Sequence, residues 1–127
     1  MIVREVMNKE LRKVSPDTKV SEAISSMLKE SAESLIVTPE SKEDVYGIIT
    51  IRDIGYKVLA KGLNPNEIEV KTIASKPLIF IEPDYDLGHA ASLMANLNLS
   101  RLIVTECKKI VGMVTDIDLL KAYARSK

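Results

Sequence analysis

The sequence predicts a mixed α/β (α+β) fold made of two copies of one β-α-β-β-α repeat. The first observation is a duplicated string, since Gly47–Asp53 reads GIITIRD and Gly112–Asp118 reads GMVTDID. The second is that the two halves align when Pro16 is laid on Pro83, with one slip of two residues in a polar loop. The third is that the apolar pattern of each half alternates between strand-like runs and helical spacing.

Each repeat opens with a short strand and an amphipathic helix. Residues 11–14 and 78–81 are β-type runs, each closed by a Pro-Asp turn. Apolar residues then recur at helical spacing over residues 20–28 and 87–95. The candidate cap residues are Asp17 or Thr18 for the first helix and Asp84 or Asp86 for the second.

A hairpin and a second helix complete each repeat. The apolar runs 35–37 and 45–49 flank a polar loop and predict a hairpin buried on both faces. Residues 53–61 predict a helix that Gly62 ends, and residues 118–125 are its counterpart. Because residues 67–75 lead into the second copy, we place repeat 1 with its connector at 1–66 and repeat 2 at 67–127.

Composition limits the function classes. The chain has 127 residues, 46% of them hydrophobic and 28% charged, as is ordinary for a soluble globular protein. Its zero net charge disfavours a long nucleic-acid-binding track. No apolar run is long enough to span a bilayer, and no signal-peptide core begins the sequence. Cys107 is the only cysteine, so no intrachain disulfide forms, and we expect a cytoplasmic location.

The Thr-x-x-Asp part of the duplicated string places a hydroxyl and a carboxylate at the start of a helix in each repeat. Thr50 with Asp53, and Thr115 with Asp118, have capping-box spacing, in which each side chain bonds a free backbone N–H group. The same geometry suits a nucleotide, because a helix N-terminus attracts phosphate and a carboxylate can accept two hydrogen bonds from ribose. The residues alone leave both interpretations open.

The order and duplication of these motifs resemble a tandem pair of cystathionine β-synthase (CBS) domains, known as a Bateman module. The resemblance covers essentially the whole chain. It is carried by Val6-Met7 and Ile73-Ala74 ahead of the first strands, by the turns at Pro16 and Pro83, and by the two Thr-x-x-Asp strings. It implies pseudo-two-fold packing of the repeats, with two clefts between them that bind adenine nucleotides (AMP, ADP or ATP).

The resemblance also implies the residues that bind nucleotide. Asp53 and Asp118 would hold the ribose, with Thr50 and Thr115 beside them. The apolar walls of the clefts are expected from Ile36, Ile48, Ile103 and Met113. Weaker candidates for polar contacts to the base are Ser75 and Asn8.

Charged residues make the two copies unequal. Arg52 and Arg101 stand where the family often has a cation for phosphate, and a surface or ion-pair role is the alternative for each. Asp116 adds a negative charge beside the second motif, so we expect the two clefts to differ in affinity.

We therefore predict a stand-alone regulatory, energy-sensing module that is not an enzyme and has no metal site and no catalytic cofactor. It would signal nucleotide occupancy to an unknown protein partner and, as CBS modules commonly do, form a homodimer through its helices. One alternative is a scaffold or dimerisation protein with empty clefts, in which the Thr-x-x-Asp strings are only caps. Another is a CBS module that binds S-adenosylmethionine or nucleic acid, of which the zero net charge disfavours nucleic acid. No membrane partner is expected, and the only histidine, His89, is expected at a solvated helix position.

Overall fold

The computed structural model describes residues 1–126 and contains two three-stranded sheets with flanking helices. The elements are α1 (Val3–Val6), β1 (Lys13–Val14), α2 (Val20–Glu30), β2 (Ser34–Val37), β3 (Gly47–Thr50), α3 (Ile51–Ile54), a π-helix (Gly55–Leu59), a 3₁₀ turn (Val70–Thr72), β4 (Phe80–Ile81), α4 (Leu87–Leu97), β5 (Arg101–Glu106), β6 (Lys109–Thr115) and α5 (Asp116–Arg125). The mixed α/β class and the repeated β-α-β-β-α order are confirmed.

The two sheets have the same topology. In each, the first strand runs parallel to the second and the second runs antiparallel to the third. Ile36 lies opposite Ile48 in one sheet, and their counterparts Ile103 and Met113 lie opposite each other in the other. The duplication is therefore preserved at the level of single residue pairs.

The chain packs as two units that do not follow the two halves of the sequence. The central unit is Arg12–Leu78, and the terminal unit is Met1–Leu11 together with the chain from Ile79 onward. The segment ahead of each first strand thus packs in the unit that contains the other repeat's sheet. The bounds 1–66 and 67–127 stay a prediction about the duplication, whereas the packing divides the chain differently.

Each unit has its own aliphatic core. In the central unit α2 contributes Val20, Ala23 and Met27, which pack with residues of the sheet, the π-helix and the 3₁₀ segment. In the terminal unit α4 contributes Ala90 and Met94, at the equivalent helical spacing. Within residues 1–126 no polar or charged residue is buried. None of the helices in this range is long and apolar enough to cross a membrane.

Several predicted boundaries are wrong. The first strands are shorter than residues 11–14 and 78–81, because only Lys13–Val14 and Phe80–Ile81 pair with a neighbouring strand. The second helices start earlier than residues 53 and 118, because each Thr of Thr-x-x-Asp is itself the N-cap. The helix after Thr50 also changes to π-type hydrogen bonding at Gly55.

One predicted cap is also wrong. Neither Asp17 nor Thr18 caps α2; the N-cap is Lys19, whose backbone N–H donates to the Glu22 carboxylate at 3.1 Å. For α4 the cap is Asp86, whose carboxylate accepts the backbone N–H of Gly88 at 2.8 Å.

Candidate ligand-binding site

The two Thr-x-x-Asp strings form the same complete capping box. In the central unit the Thr50 hydroxyl accepts the Asp53 backbone N–H at 3.1 Å. Asp53 Oδ2 in turn accepts the Thr50 backbone N–H at 2.9 Å and its hydroxyl at 3.0 Å. Thr115 and Asp118 repeat these contacts at 3.3, 2.9 and 3.0 Å. One carboxylate oxygen of each Asp is therefore committed to the cap.

The other carboxylate oxygen differs between the units. Asp53 Oδ1 lies 3.2 Å from the Lys57 ammonium, which also donates to the Ile73 carbonyl at 2.9 Å. Asp118 Oδ1 has no hydrogen bond or ion pair within residues 1–126. The residue one turn after Asp118 is the buried Ala122 and supplies no charge. Asp118 in the terminal unit thus keeps an oxygen that can accept a hydrogen bond, whereas the equivalent oxygen of Asp53 is paired with Lys57.

The glycine that opens each string is explained by a close backbone approach. Ile48 and Ser75 exchange two backbone hydrogen bonds of 3.0 and 2.9 Å beside Gly47. A Cβ on Gly47 would lie 3.1 Å from the Ser75 carbonyl oxygen and 3.0 Å from Cγ of Lys76. The string therefore contains, in order, a glycine next to a neighbouring backbone carbonyl, the rest of a strand, and the N-cap of a helix.

The predicted site residues separate by unit. The central unit holds Ile36, Ile48, Thr50, Arg52, Asp53 and Ser75. The terminal unit holds Asn8, Arg101, Ile103, Met113, Thr115 and Asp118. Each set combines one Thr-x-x-Asp string with a polar residue, Ser75 or Asn8, from the segment ahead of the other repeat's first strand.

The two arginines have different surroundings. Arg101 lies opposite Thr115 in the β5–β6 register, and its Nε lies 3.4 Å from the Ser100 hydroxyl. The Arg52 guanidinium lies 5.8 Å from the centre of the Tyr56 ring on the exposed face of its helix. Neither arginine forms an ion pair within residues 1–126. Asp116 is exposed, and one of its oxygens accepts the Ile117 backbone N–H at 2.8 Å.

Most of the apolar residues predicted to line a cleft are buried. Ile36, Ile103 and Met113 are buried, and Ile48 alone of the four is half-buried. Sequence reasoning missed Lys57, which sits four residues after Asp53. That spacing was a usable signal, because residues i and i+4 are neighbours on a helix surface.

Two other reactive side chains lie at the surface. His89 is exposed on α4, and Cys107 is exposed in the turn between β5 and β6. No group of three or more His, Cys, Asp or Glu within residues 1–126 is arranged to hold a metal ion.

Comparison with known sequences follows the duplication. The family model described as the CBS domain matches residues 3–58 and 70–125. An uncharacterized protein of Methanopyrus kandleri is 34% identical over 120 residues, which cover 94% of this chain and 61% of the relative. An inosine-5′-monophosphate dehydrogenase of Methanocaldococcus jannaschii is 32% identical over 92% of this chain, but over only 22% of its own length. The chain thus spans less than two thirds of these relatives.

Comparison with solved structures gives the same architecture. A hexameric CBS-CP12 protein from bloom-forming cyanobacteria has a TM-score of 0.87 and 30% identity, over 94% of this chain and 69% of its own. An uncharacterized conserved protein from Pyrococcus horikoshii has a TM-score of 0.84 and 32% identity, over 96% and 91%. The CBS domain pair of protein MJ0100, in complex with 5′-methylthioadenosine and S-adenosyl-L-methionine, has a TM-score of 0.84 and 26% identity, over 100% and 98%.

Proposed function

Because this chain belongs to the CBS-domain family, we propose that it is a regulatory module that binds an adenine nucleotide and signals its occupancy to a partner. The observation that carries the proposal is the arrangement around Thr115. One oxygen of Asp118 completes the helix cap, while the other has no hydrogen bond or ion pair within residues 1–126. Arg101, which has no ion pair in that range, lies opposite Thr115.

This arrangement supplies the chemistry that a nucleotide requires. The capping contacts hold the Asp118 carboxylate in place before a ligand arrives, so little conformational freedom is lost on binding. The free oxygen can accept a ribose hydroxyl, and the Arg101 guanidinium can bind phosphate oxygens through its planar fork. The backbone of Asn8 pairs with Met113 and its Oδ1 accepts the Glu10 backbone N–H at 2.9 Å, so its side-chain N–H groups are the donors that it can offer to the base in the same unit.

The charges favour a phosphate over a sulfonium. MJ0100, one of the structural neighbours, was solved with two adenosine-containing sulfur compounds. In this chain Arg52 and Arg101 are cations without an ion pair within residues 1–126, and they would repel the positive sulfur of S-adenosylmethionine. We therefore assign AMP, ADP or ATP, and a preference among these three would make the protein an energy sensor.

Calorimetry with a ligand panel tests the proposal. Protein stripped of co-purified small molecules is titrated with adenosine, AMP, ADP, ATP and S-adenosylmethionine. We expect AMP to bind about tenfold tighter than adenosine, which corresponds to ~1.4 kcal/mol for the phosphate contact. Arg101→Gln should remove that difference in the terminal unit, whereas Asp118→Ala should weaken adenosine and AMP alike. Absence of binding by every compound overturns the proposal.

A second function has one observation in its favour. Both Thr-x-x-Asp strings are fully formed caps, and a scaffold protein would need nothing more from them. The double variant Asp53→Ala with Asp118→Ala separates the two functions. Loss of unfolding free energy with unchanged nucleotide binding would favour the scaffold, and loss of binding would favour the sensor.

We also propose that the protein has no catalytic activity of its own and forms a homodimer. The dimer associates through the helices that follow Thr50 and Thr115, namely α3 with the π-helix, and α5. Leu120 and Tyr123 on α5 are 67% and 63% exposed, and Tyr56 on the π-helix is 67% exposed. Such apolar exposure on helices is typical of an association surface. Light scattering after size exclusion should give the mass of a dimer for the native chain and of a monomer for Leu120→Glu with Tyr123→Glu.

A further inference from the structure

A concavity lies in the terminal unit, near the end of β5 that is farther from Thr115. It has a volume of about 480 Å³ and is lined mainly by Phe80, Glu82, Tyr85, His89, Leu93 and Thr105. Thr105 pairs with Ile110 near the hairpin turn, whereas Thr115 pairs with Arg101. The volume falls in the range of small-molecule sites. The proposed nucleotide site uses none of its lining residues.

Aromatic rings form much of this concavity. Phe80 and Tyr85 are each 47% exposed, although both are large enough to belong in a core. The rings of Tyr85 and His89 meet edge to face, with centroids 6.1 Å apart. An exposed aromatic cluster of this kind on a small domain commonly marks a binding surface.

The fold itself does not require these rings. The other repeat builds the same β-α-β-β-α unit with polar side chains at the equivalent positions. The counterparts of Phe80, Tyr85, His89 and Leu93 are Lys13, Thr18, Glu22 and Ser26. Leu93 packs against the core of its unit, whereas Phe80 and Tyr85 are largely exposed. Because the other repeat forms the same strand pairing and helix with polar residues, the exposed rings are not needed for either element.

The charge of the concavity is negative. Glu82 is exposed and makes no ion pair within residues 1–126. The nearby cation Arg4 is engaged elsewhere, at 3.2 Å from Asp84 and 2.6 Å from Glu106. The Glu82 carboxylate therefore stays available beside the aromatic faces. A carboxylate next to exposed rings is the combination that attracts an organic cation.

We propose that the concavity formed by Phe80, Tyr85, His89 and Glu82 binds an organic cation whose apolar body packs on the aromatic rings while its charged nitrogen faces Glu82. The other repeat has polar residues in place of Phe80 and Tyr85, so we expect this cation site in the terminal unit and not in the central one. The same chemistry is offered by a free amine and by a lysine side chain of a protein.

Three compounds with one ring and different charge test the assignment. Benzylammonium, benzyl alcohol and benzoate are titrated into the full chain, and binding is followed by the backbone amide NMR shifts of Glu82, His89 and Thr105. We expect benzylammonium to bind about tenfold tighter than benzyl alcohol, and benzoate weakest. N-acetyl-lysine amide is the model for a protein side chain, and the tighter of the two cations identifies the source. Binding of no cation, or equal binding of the alcohol and the ammonium, overturns the proposal.

Variants separate charge from shape. Glu82→Gln should lower benzylammonium affinity about tenfold and leave benzyl alcohol affinity unchanged within about twofold. Glu43→Gln is the matched control, because Glu43 is an exposed glutamate of the central unit and should change neither affinity. Phe80→Lys with Tyr85→Thr installs residues that the other repeat already carries at these positions, and it should abolish binding of both compounds. Retained benzylammonium affinity in that folded variant, shown by its circular dichroism, also overturns the proposal.

Discussion

Asn8 and Met113 exchange two backbone hydrogen bonds, of 2.8 and 2.9 Å, so a residue near the start of the chain borders the last strand. Ser75 and Ile48 repeat the arrangement in the central unit. These bridges place the polar candidate of one repeat beside the Thr-x-x-Asp string of the other. They also bring a backbone carbonyl close to the glycine that opens each string.

The first prediction concerns that glycine. A Cβ on Gly112 would lie 3.1 Å from the Asn8 carbonyl oxygen and 2.8 Å from Sδ of Met7. Met7 can move its flexible side chain, but the carbonyl is fixed by its hydrogen bond to Met113. Gly112→Ala should therefore lower the free energy of unfolding by about 1–3 kcal/mol, as an overpacked site does. Urea denaturation followed by circular dichroism measures the change.

Gly55→Ala is the control for this effect. Gly55 has helical dihedrals of φ −60° and ψ −46°, and a Cβ there meets no atom within 4 Å. Alanine should stabilise the fold by about 0.5–1 kcal/mol, because it restricts the unfolded chain. Equal effects of the two substitutions would show that close approach is not the reason for the glycine at 112.

The sequence predicted the repeat but not which segment packs with which sheet. Strand pairing, helix faces and the Thr caps follow from local patterns that the two halves share. The segments ahead of the first strands carry matching apolar residues, Val3 and Val6 in one and Val70 and Ile73 in the other. Because both pairs are aliphatic and have the same spacing, the hydrophobic pattern does not show which pair packs in which core. The choice depends on the path of the whole chain.

The second prediction concerns the helix cap at Thr115. Its hydroxyl accepts the Asp118 backbone N–H and donates to the Asp118 carboxylate. Thr115→Ala removes both contacts and should cost about 1 kcal/mol of unfolding free energy. Thr115→Ser keeps the hydroxyl and should recover most of the loss in the same thermal or urea measurement. If serine were no better than alanine, the methyl group rather than the cap would be responsible.

The third prediction concerns pH. The pKa of Asp44 is lowered to about 2 by the backbone N–H of Glu40, the Lys76 ammonium and the backbone N–H of Val45. Since the folded-state pKa is below the ordinary 3.8, this contribution to stability is present above pH 3.8 and is lost as the pH falls toward 2. The native chain should therefore lose more stability between pH 5 and about pH 2.5 than Asp44→Asn does. The urea midpoint at the two pH values measures this.

Glu43→Gln is the neighbouring control for the acid effect. Glu43 is exposed, and its carboxylate has no ion pair within residues 1–126. Its removal should leave the difference between the two pH values as in the native chain. The interpretation of Asp44 fails if Asp44→Asn shows the native acid sensitivity.

The sequence predicted the capping chemistry that the two Thr-x-x-Asp strings share better than the differences between them. It placed the difference at Arg52 and Asp116 within the strings and at Arg101 outside them. The structure adds a difference one turn later, where Lys57 meets the Asp53 carboxylate and the counterpart Ala122 is buried. The i, i+4 spacing of Asp53 and Lys57 is visible in the sequence. The sequence does not show that the Lys57 ammonium contacts Oδ1 of Asp53, the oxygen that the cap does not use, because this depends on the rotamers of both side chains.

The fourth prediction uses that difference and rests on the proposed nucleotide function. In the central unit a ribose hydroxyl competes with Lys57 for Asp53 Oδ1, whereas Asp118 Oδ1 has no hydrogen bond or ion pair within residues 1–126. Lys57→Met should therefore raise the affinity of the central unit for adenosine by about twofold to fivefold, equivalent to a partly exposed ion pair. Adenosine is used because it carries no phosphate that the ammonium could attract. Calorimetry in the Asp118→Ala background reports this unit alone.

Lys61→Met provides the matched control, since Lys61 is an exposed lysine beyond the π-helix and forms no ion pair with Asp53. It removes the same charge and should leave adenosine affinity unchanged, so a general charge effect is separated from the local one. Lys57 also donates to the Ile73 carbonyl, so the unfolding free energy of Lys57→Met is measured alongside to confirm that the unit remains folded. A fall in adenosine affinity for a folded Lys57→Met variant would mean that Lys57 contacts the ligand rather than competing with it for Asp53.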